Sequence, residues 1–218
     1  MIPLLHDFSN ATVLVFGGGP VGARKARRFA REARVIVISP AFTDRGFGTA
    51  ELIRASPEPG EIGAWIDRVS PALVVAATDD EVVNDAVNEA ARDRGLLVNR
   101  ADRAGGREPG GVVVPATIRD DPVVVSIATG GTAPALSKHL RRELEESIDG
   151  AGSMASLCRR LRSELKSRDV SANRRREIVT DVVNSPDVWT ALRSGTSNGR
   201  QVIEDVLEEE LSDGGDGA

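Results

Sequence analysis

Cysteine occurs once, histidine twice and tyrosine not at all in 218 residues. The lone thiol, Cys158, can make no intramolecular disulfide and excludes a thiolate metal cluster within one chain. His6 and His139 stand far apart and read as structural or surface residues, so no metal centre is expected. Aromatic residues make up 3% of the chain, which argues against a surface that stacks bases; no nucleic-acid partner is expected. No apolar run reaches the roughly 18 residues that a membrane span needs. The opening segment, MIPLLHDFSN, carries neither a basic region nor a cleavage site. A soluble cytoplasmic chain is the expectation.

Charge is present but unevenly spread. The formal net charge is -5, yet seven of the 33 acids lie from Glu204 onward, where no lysine or arginine occurs. The remaining 26 acids face 28 bases, so the body of the chain is close to neutral. The acidic total therefore says little about a ligand-binding surface.

The first hundred residues alternate between strand and helix patterns. Thr12–Phe16 is a short apolar run that ends in Gly17-Gly18-Gly19, as a buried parallel strand does. A helix is expected from Val21 to Arg31, a β-branched strand over Val35–Ile38, a short strand over Ala50–Arg54 and a helical turn over Glu61–Trp65. Leu73–Ala77 forms the next strand. Thr78-Asp79-Asp80 then supplies cap chemistry for a helix to Arg94, which Gly95 ends before Leu96–Asn99 resumes as strand. Strands separated by helices imply right-handed crossovers and a parallel sheet. Arg103 to Gly111 is a glycine-rich charged loop. Gly111–Pro115 and Pro122–Ile127 are expected to pair as an antiparallel hairpin across Arg119-Asp120-Asp121. Leu136, Leu140, Leu144 and Ile148 recur every fourth residue, giving one apolar helix stripe that belongs to a core or a dimer interface. Helical patterns follow over about Met154–Lys166, Ala172–Val183 and Arg200–Leu211.

Gly17-Gly18-Gly19-Pro20-Val21-Gly22 fits G-x-G-x-x-G directly after a strand and at the opening of a helix, the context that gives the pattern its meaning. Gly17 allows the sharp turn, Gly19 lets the backbone approach a pyrophosphate, and Gly22 lets the helix lie close to the sheet. The phosphates then meet free N–H groups at the positive end of the helix dipole. Where a typical NAD site has Asp or Glu at the end of the second strand, this chain has Ser39 followed by Pro40. A serine can bond the ribose without repelling a 2′-phosphate, which favours NAD over NADP only moderately.

The order of motifs resembles the precorrin-2 dehydrogenase family, the N-terminal module of siroheme synthases. The resemblance rests on Gly17–Gly22 with Arg24-Lys25, Ala76–Asp80, Asn99-Arg100-Ala101-Asp102, Pro115-Ala116 and Thr129–Leu136. It covers residues 3–150 strongly and reaches about residue 205 more loosely. It implies NAD-dependent oxidation of precorrin-2 to sirohydrochlorin by a homodimer. It places a key carboxylate on Asp102, cofactor contacts on Gly19-Pro20-Val21 and Ser39-Pro40, and Thr78 near the nicotinamide half. The family usually continues after its Asp with another acid and a proline, whereas Arg103-Ala104-Gly105 follow here. The methyltransferase domain of bifunctional siroheme synthases has no room in 218 residues.

Asp102 sits just beyond a predicted strand, where open α/β sheets bind ligands, and it is the candidate general base. For a polycarboxylate tetrapyrrole, Gly130-Gly131-Thr132 at a second helix start offer backbone N–H groups, while Arg174 and Arg175 offer guanidinium forks. The expected organisation is a Rossmann-like NAD-binding domain over 1–112, a dimerisation region over 113–150, a helical domain over 151–211 and a disordered acidic tail over 212–218. Two other functions fit the same residues: a dehydrogenase that is also a ferrochelatase, and a non-catalytic NAD-sensing module.

Overall fold

Continuous runs of β-branched and aliphatic residues build the centre of the first half of the chain, because strands covered on both faces cannot alternate with polar residues. In the computed structural model, which describes residues 2–103, 111–194, 201, 203–205 and 208, these runs form a parallel sheet of order β3-β2-β1-β4-β5. The strands are β1 (Thr12–Phe16), β2 (Arg34–Ser39), β3 (Glu51–Arg54), β4 (Leu73–Ala76) and β5 (Leu97–Arg100). Helix α1 (Pro20–Phe29) covers one face, where Val13, Val15, Val35, Val37 and Val75 pack on Ala23 and Ala26. Helices α2 (Ile62–Val69) and α3 (Glu81–Asp93) cover the other, over Leu14, Phe16, Ile36, Ile38 and Val74. The chain thus alternates its side chains between two cores, giving the expected Rossmann-like α/β architecture.

The chain divides into two compact units, Met1–Val114 with Gly130–Thr132, and Pro115–Thr129 with Ala133–Ala218. The second holds a hairpin, β6 (Ala116–Asp120) and β7 (Val123–Ile127), with α4 (Pro134–Ser147), α5 (Ala151–Ser167), α6 (Ala172–Asn184) and α7 (Pro186–Ser194). Its core joins Met154, Leu157, Leu161 and Leu165 of α5 to Ile178, Val179 and Val182 of α6.

Four expectations are corrected. The hairpin's first strand is Ala116–Asp120, not Gly111–Pro115: Val112 N–H donates to Val98 carbonyl (2.8 Å), so that run continues the edge of the parallel sheet instead. Helix α5 starts at Ala151, ahead of the expected Met154, because Gly152 is a packing position and not a break. Its N–H donates to Asp120 Oδ2 at 2.9 Å, and a Cβ there would lie 2.5 Å from the Asp121 carbonyl oxygen. The helical turn at Glu61–Trp65 extends to Val69, since Ile62 and Ile66 are both buried one turn apart. Helix α7 was not expected; Val188, Trp189 and Leu192 pack against the α5–α6 core. The tail over 212–218 and the loop at 104–110 lie outside the described residues, as does much of the helix expected over 200–211.

Candidate active site

β1 ends between the ends of β2 and β4, and the chain must turn there without a side chain. Gly17 adopts φ +117°, and a Cβ on it would lie 2.3 Å from the Ala77 carbonyl oxygen. Gly22 brings α1 against that turn, where a Cβ would sit 1.9 Å from the Gly17 carbonyl oxygen. Gly19 differs from both, having nothing within 4 Å of its Cβ position. Its open side faces a cavity of about 720 Å³, a size within the roughly 300–1,000 Å³ of cofactor pockets.

Pro20 is the first residue of α1, where its missing N–H costs nothing, and no side chain caps the helix. The first turn also lacks acids, so the positive end of the helix is left to the cavity. The cavity lies at the switch point of the sheet, between the segments that leave β2 and β4. Gly17, Gly19, Pro20 and Val21 line its floor; Ser39 and Pro40 line one side and Thr78 the other. Gly22 lies behind them as packing against the turn. These residues fit a dinucleotide: a close-packed glycine turn, one open glycine and uncapped N–H groups suit a pyrophosphate.

Thr78 is held by a residue that the sequence did not single out. Buried Asn84 accepts from Thr78 N–H (3.1 Å) and Oγ1 (2.8 Å) and donates to the Thr78 carbonyl (3.0 Å). Asp80 caps α3 by accepting from Val82 N–H at 2.8 Å. A carboxamide three residues into a helix that follows a strand-end threonine is a signal visible in the sequence. Gly18 was also passed over as a site residue: a Cβ there would lie 2.1 Å from the Ala41 carbonyl oxygen, so the β2–β3 segment packs directly on the glycine turn.

Asp102 follows β5, the strand beside β4, and is not among the residues lining the cavity. Its carboxylate takes both arms of Arg100, from Nε at 2.9 Å and Nη2 at 2.6 Å. Arg100 also bonds Asp85 of α3, and Arg103 bridges Glu81 (2.7 Å) and Asp85 (3.1 Å). The Arg100 guanidinium holds the Asp102 carboxyl below the usual carboxylate range, against the opposing effect of burial. The group is therefore anionic at neutral pH. Its contribution to stability is present above the unfolded carboxyl value and is lost as pH falls through its lower folded one.

Lys25 is the unexpected titratable group of this unit. Its Nζ donates to Asn99 Oδ1 at 2.8 Å, and Asn99 Nδ2 donates to the Val112 carbonyl at 2.7 Å. Burial, with Arg28 and Arg24 nearby, pushes the ammonium down to about 8. The unfolded chain then binds more protons than the folded one between about pH 8 and the ordinary lysine value of about 10.4. Stability should rise with pH across that window, and Lys25→Met should remove the rise. Urea unfolding of both proteins at pH 7.5 and 9.5 checks this; parallel changes in the two would refute it.

The remaining candidates are described within their own units. Gly130 and Gly131 both take left-handed conformations (φ +70° and +82°), and Thr132 follows them, ahead of Pro134 at the start of α4. On α6, Arg174 bonds Glu177 at 3.3 Å and Arg175 donates to the Val170 carbonyl at 2.5 Å. Cys158 is half-buried against the helical core, and burial raises its thiol. Among the described residues, no group of three or more His, Cys, Asp or Glu is placed to hold a metal ion. Likewise, no described helix is long and apolar enough to cross a membrane.

The sheet, its switch point and the glycine cradle define a dinucleotide-binding protein of the doubly wound α/β class. Residues 4–116 match the family described as "Putative NAD(P)-binding". The precorrin-2 dehydrogenase of Methanosarcina barkeri is 32% identical over 197 residues, covering 86% of this chain and 85% of that protein. The siroheme synthase of Stutzerimonas stutzeri is 31% identical over 215 residues, covering 94% of this chain and 44% of that protein. The solved structure of SirC, a precorrin-2 dehydrogenase, shares the fold, with TM-score 0.70 and 22% identity over 95% of this chain and all of that one. The chain belongs to the precorrin-2 dehydrogenase family. It spans less than half the length of the siroheme synthases that it matches.

Proposed function

We propose that this chain oxidises precorrin-2 to sirohydrochlorin, with NAD bound in the glycine-lined cavity, as a cytoplasmic homodimer. The observation that carries the reading is a single unit in which an open glycine cradle after β1 is followed, two strands over, by an ionised carboxylate after β5. That unit belongs to a chain resembling the M. barkeri enzyme along most of both lengths.

In this reading Gly17, Gly19, Pro20, Val21 and Gly22 seat the pyrophosphate, and Ser39-Pro40 border the adenosine ribose. Thr78, fixed by Asn84, borders the nicotinamide half. When bound, the nicotinamide supplies the hydride acceptor. Removal of two hydrogens also releases a proton, and Asp102 is the group that receives it. Arg100 keeps that carboxylate ionised and oriented, while each oxygen retains a lone pair for the substrate. Gly130, Gly131 and Thr132 offer backbone N–H groups to the substrate carboxylates, whereas Arg174 and Arg175 bond Glu177 and the Val170 carbonyl within the second unit. Helix α4 has no buried residue, and Leu136 on its apolar stripe is 47% exposed. A second copy covers that stripe in the dimer.

Purified protein mixed with precorrin-2 and NAD should form NADH and sirohydrochlorin in equal amounts, followed by absorbance. Tight NAD binding with no turnover would replace the enzyme by the NAD-sensing reading.

A further inference from the structure

The side chain of Arg100, the last residue of β5, is 10% exposed, so its guanidinium needs partners for the donors it takes out of water. Those partners lie on two elements. Nε and Nη2 reach Asp102, which follows β5, while Nη1 is held by Asp85 of α3. With Nη1 tied to α3 the guanidinium plane is kept from turning, and the edge that meets Asp102 has one direction. Asp85 is itself held from a second side, because Arg103 bridges it to Glu81. The charged groups that face Asp102 are thus Arg100 and Arg103 of its own segment and, through them, Asp85 and Glu81 of α3. Neighbouring β4, Leu73–Ala76, carries no charge. The Asp85 side chain is 53% exposed. An ion pair with so exposed an acid adds little to stability, but it can fix a direction.

We propose that Asp85 is a positioning residue for the dehydrogenation: through Arg100 it sets the direction in which the Asp102 carboxylate meets the substrate proton. The inference rests on the reading of Asp102 as the proton acceptor and adds the residue on α3 that aims it. Asp85 does not line the cavity, so its influence on the reaction passes through Arg100. A carboxylate tied at both oxygens presents its remaining lone pairs along fixed lines, and proton transfer needs donor and acceptor within hydrogen-bond reach. Charge and direction are separable contributions of Arg100. A lysine there keeps the charge but loses the fork, and one ammonium cannot hold both carboxylates along the same lines.

Single-turnover NADH formation from precorrin-2 and NAD by the full chain, followed by stopped flow between about pH 4 and 8, tests this. Asp85→Ala should lower the maximal rate about tenfold, with the half-saturating precorrin-2 concentration and the calorimetric NAD affinity within about threefold of the parent's. Asp85→Asn keeps an acceptor for Nη1 and should restore most of the rate. Arg100→Lys should lose at least about tenfold in rate while its acid limb stays near the parent's. In Arg100→Gln the guanidinium no longer opposes burial, so the acid limb should also move up by about one pH unit or more. Should the Arg100 variants fail to fold, the Asp85 pair decides alone, because that exposed side chain enters no core. A parental rate in Asp85→Ala, or equal losses in Asp85→Ala and Asp85→Asn, overturns the proposal. A parental rate in Asp102→Asn is a separate result: it removes the proton-acceptor reading, and this inference with it.

Discussion

Replacing Asp102 by asparagine should lower NADH formation from precorrin-2 by about 10²–10⁴-fold, the usual loss when a positioned proton acceptor is removed. NAD affinity should change by less than about threefold, because Asp102 does not line the cavity. Asparagine keeps the size of the side chain and one acceptor oxygen for Arg100, while Arg100 retains Asp85, so the cluster stays folded. Single-turnover absorbance with calorimetry of NAD binding separates the two effects. The Arg100 guanidinium holds the carboxyl below the usual range, so the parent's rate should also show no loss of this base on moderate acidification toward pH 5. Equal rates in parent and variant would take Asp102 out of the proton transfer.

Two glycines three residues apart should fail in opposite ways. Gly22→Val forces a Cβ to 1.9 Å from the Gly17 carbonyl oxygen, a backbone atom that has no rotamer to escape into. Its expected effect is loss of the folded first unit, visible as a collapsed melting transition, since overpacking against backbone exceeds the roughly 1–3 kcal/mol of ordinary core crowding. Gly19→Asp meets nothing within 4 Å, so the melting temperature should hold. NAD affinity should nevertheless fall at least a hundredfold, because the added carboxylate faces the pyrophosphate at the helix start. A folded Gly22→Val protein with normal NAD affinity would contradict the first expectation. Unchanged affinity in Gly19→Asp would place the phosphates elsewhere.

Much of the first unit was legible because its strands are buried on both faces and so appear as unbroken apolar runs. The glycine turn was legible for a related reason: crowding by the Ala77 backbone leaves no alternative residue at Gly17. The hairpin's second strand was legible but its first was not, since Val112–Val114 is as β-branched as any strand here, and its partner was decided by a bond to Val98, fourteen residues back. The start of α5 was not legible either, because a glycine that breaks a helix and one, such as Gly152, that admits a neighbouring carbonyl look alike in sequence. The candidate acid was legible by position, but its state was not. Asp102 is set by Arg100 two residues earlier and, through it, by Asp85 on another element. Lys25 and Asn99 are 74 residues apart, and nothing local announces their bond.

Helix α3 carries Asn84, which clamps Thr78, and one residue later Asp85, which grips Arg100. Adjacent side chains on one rigid rod therefore hold the Thr78 side of the cavity and the Arg100 partner of Asp102. Tuning by drift is constrained as a result: a sideways shift of the rod that suited one end would disturb the other. Variants selected for altered coenzyme grip by changes in this rod should show altered proton handling too, whereas changes on the β2 side carry no such debt.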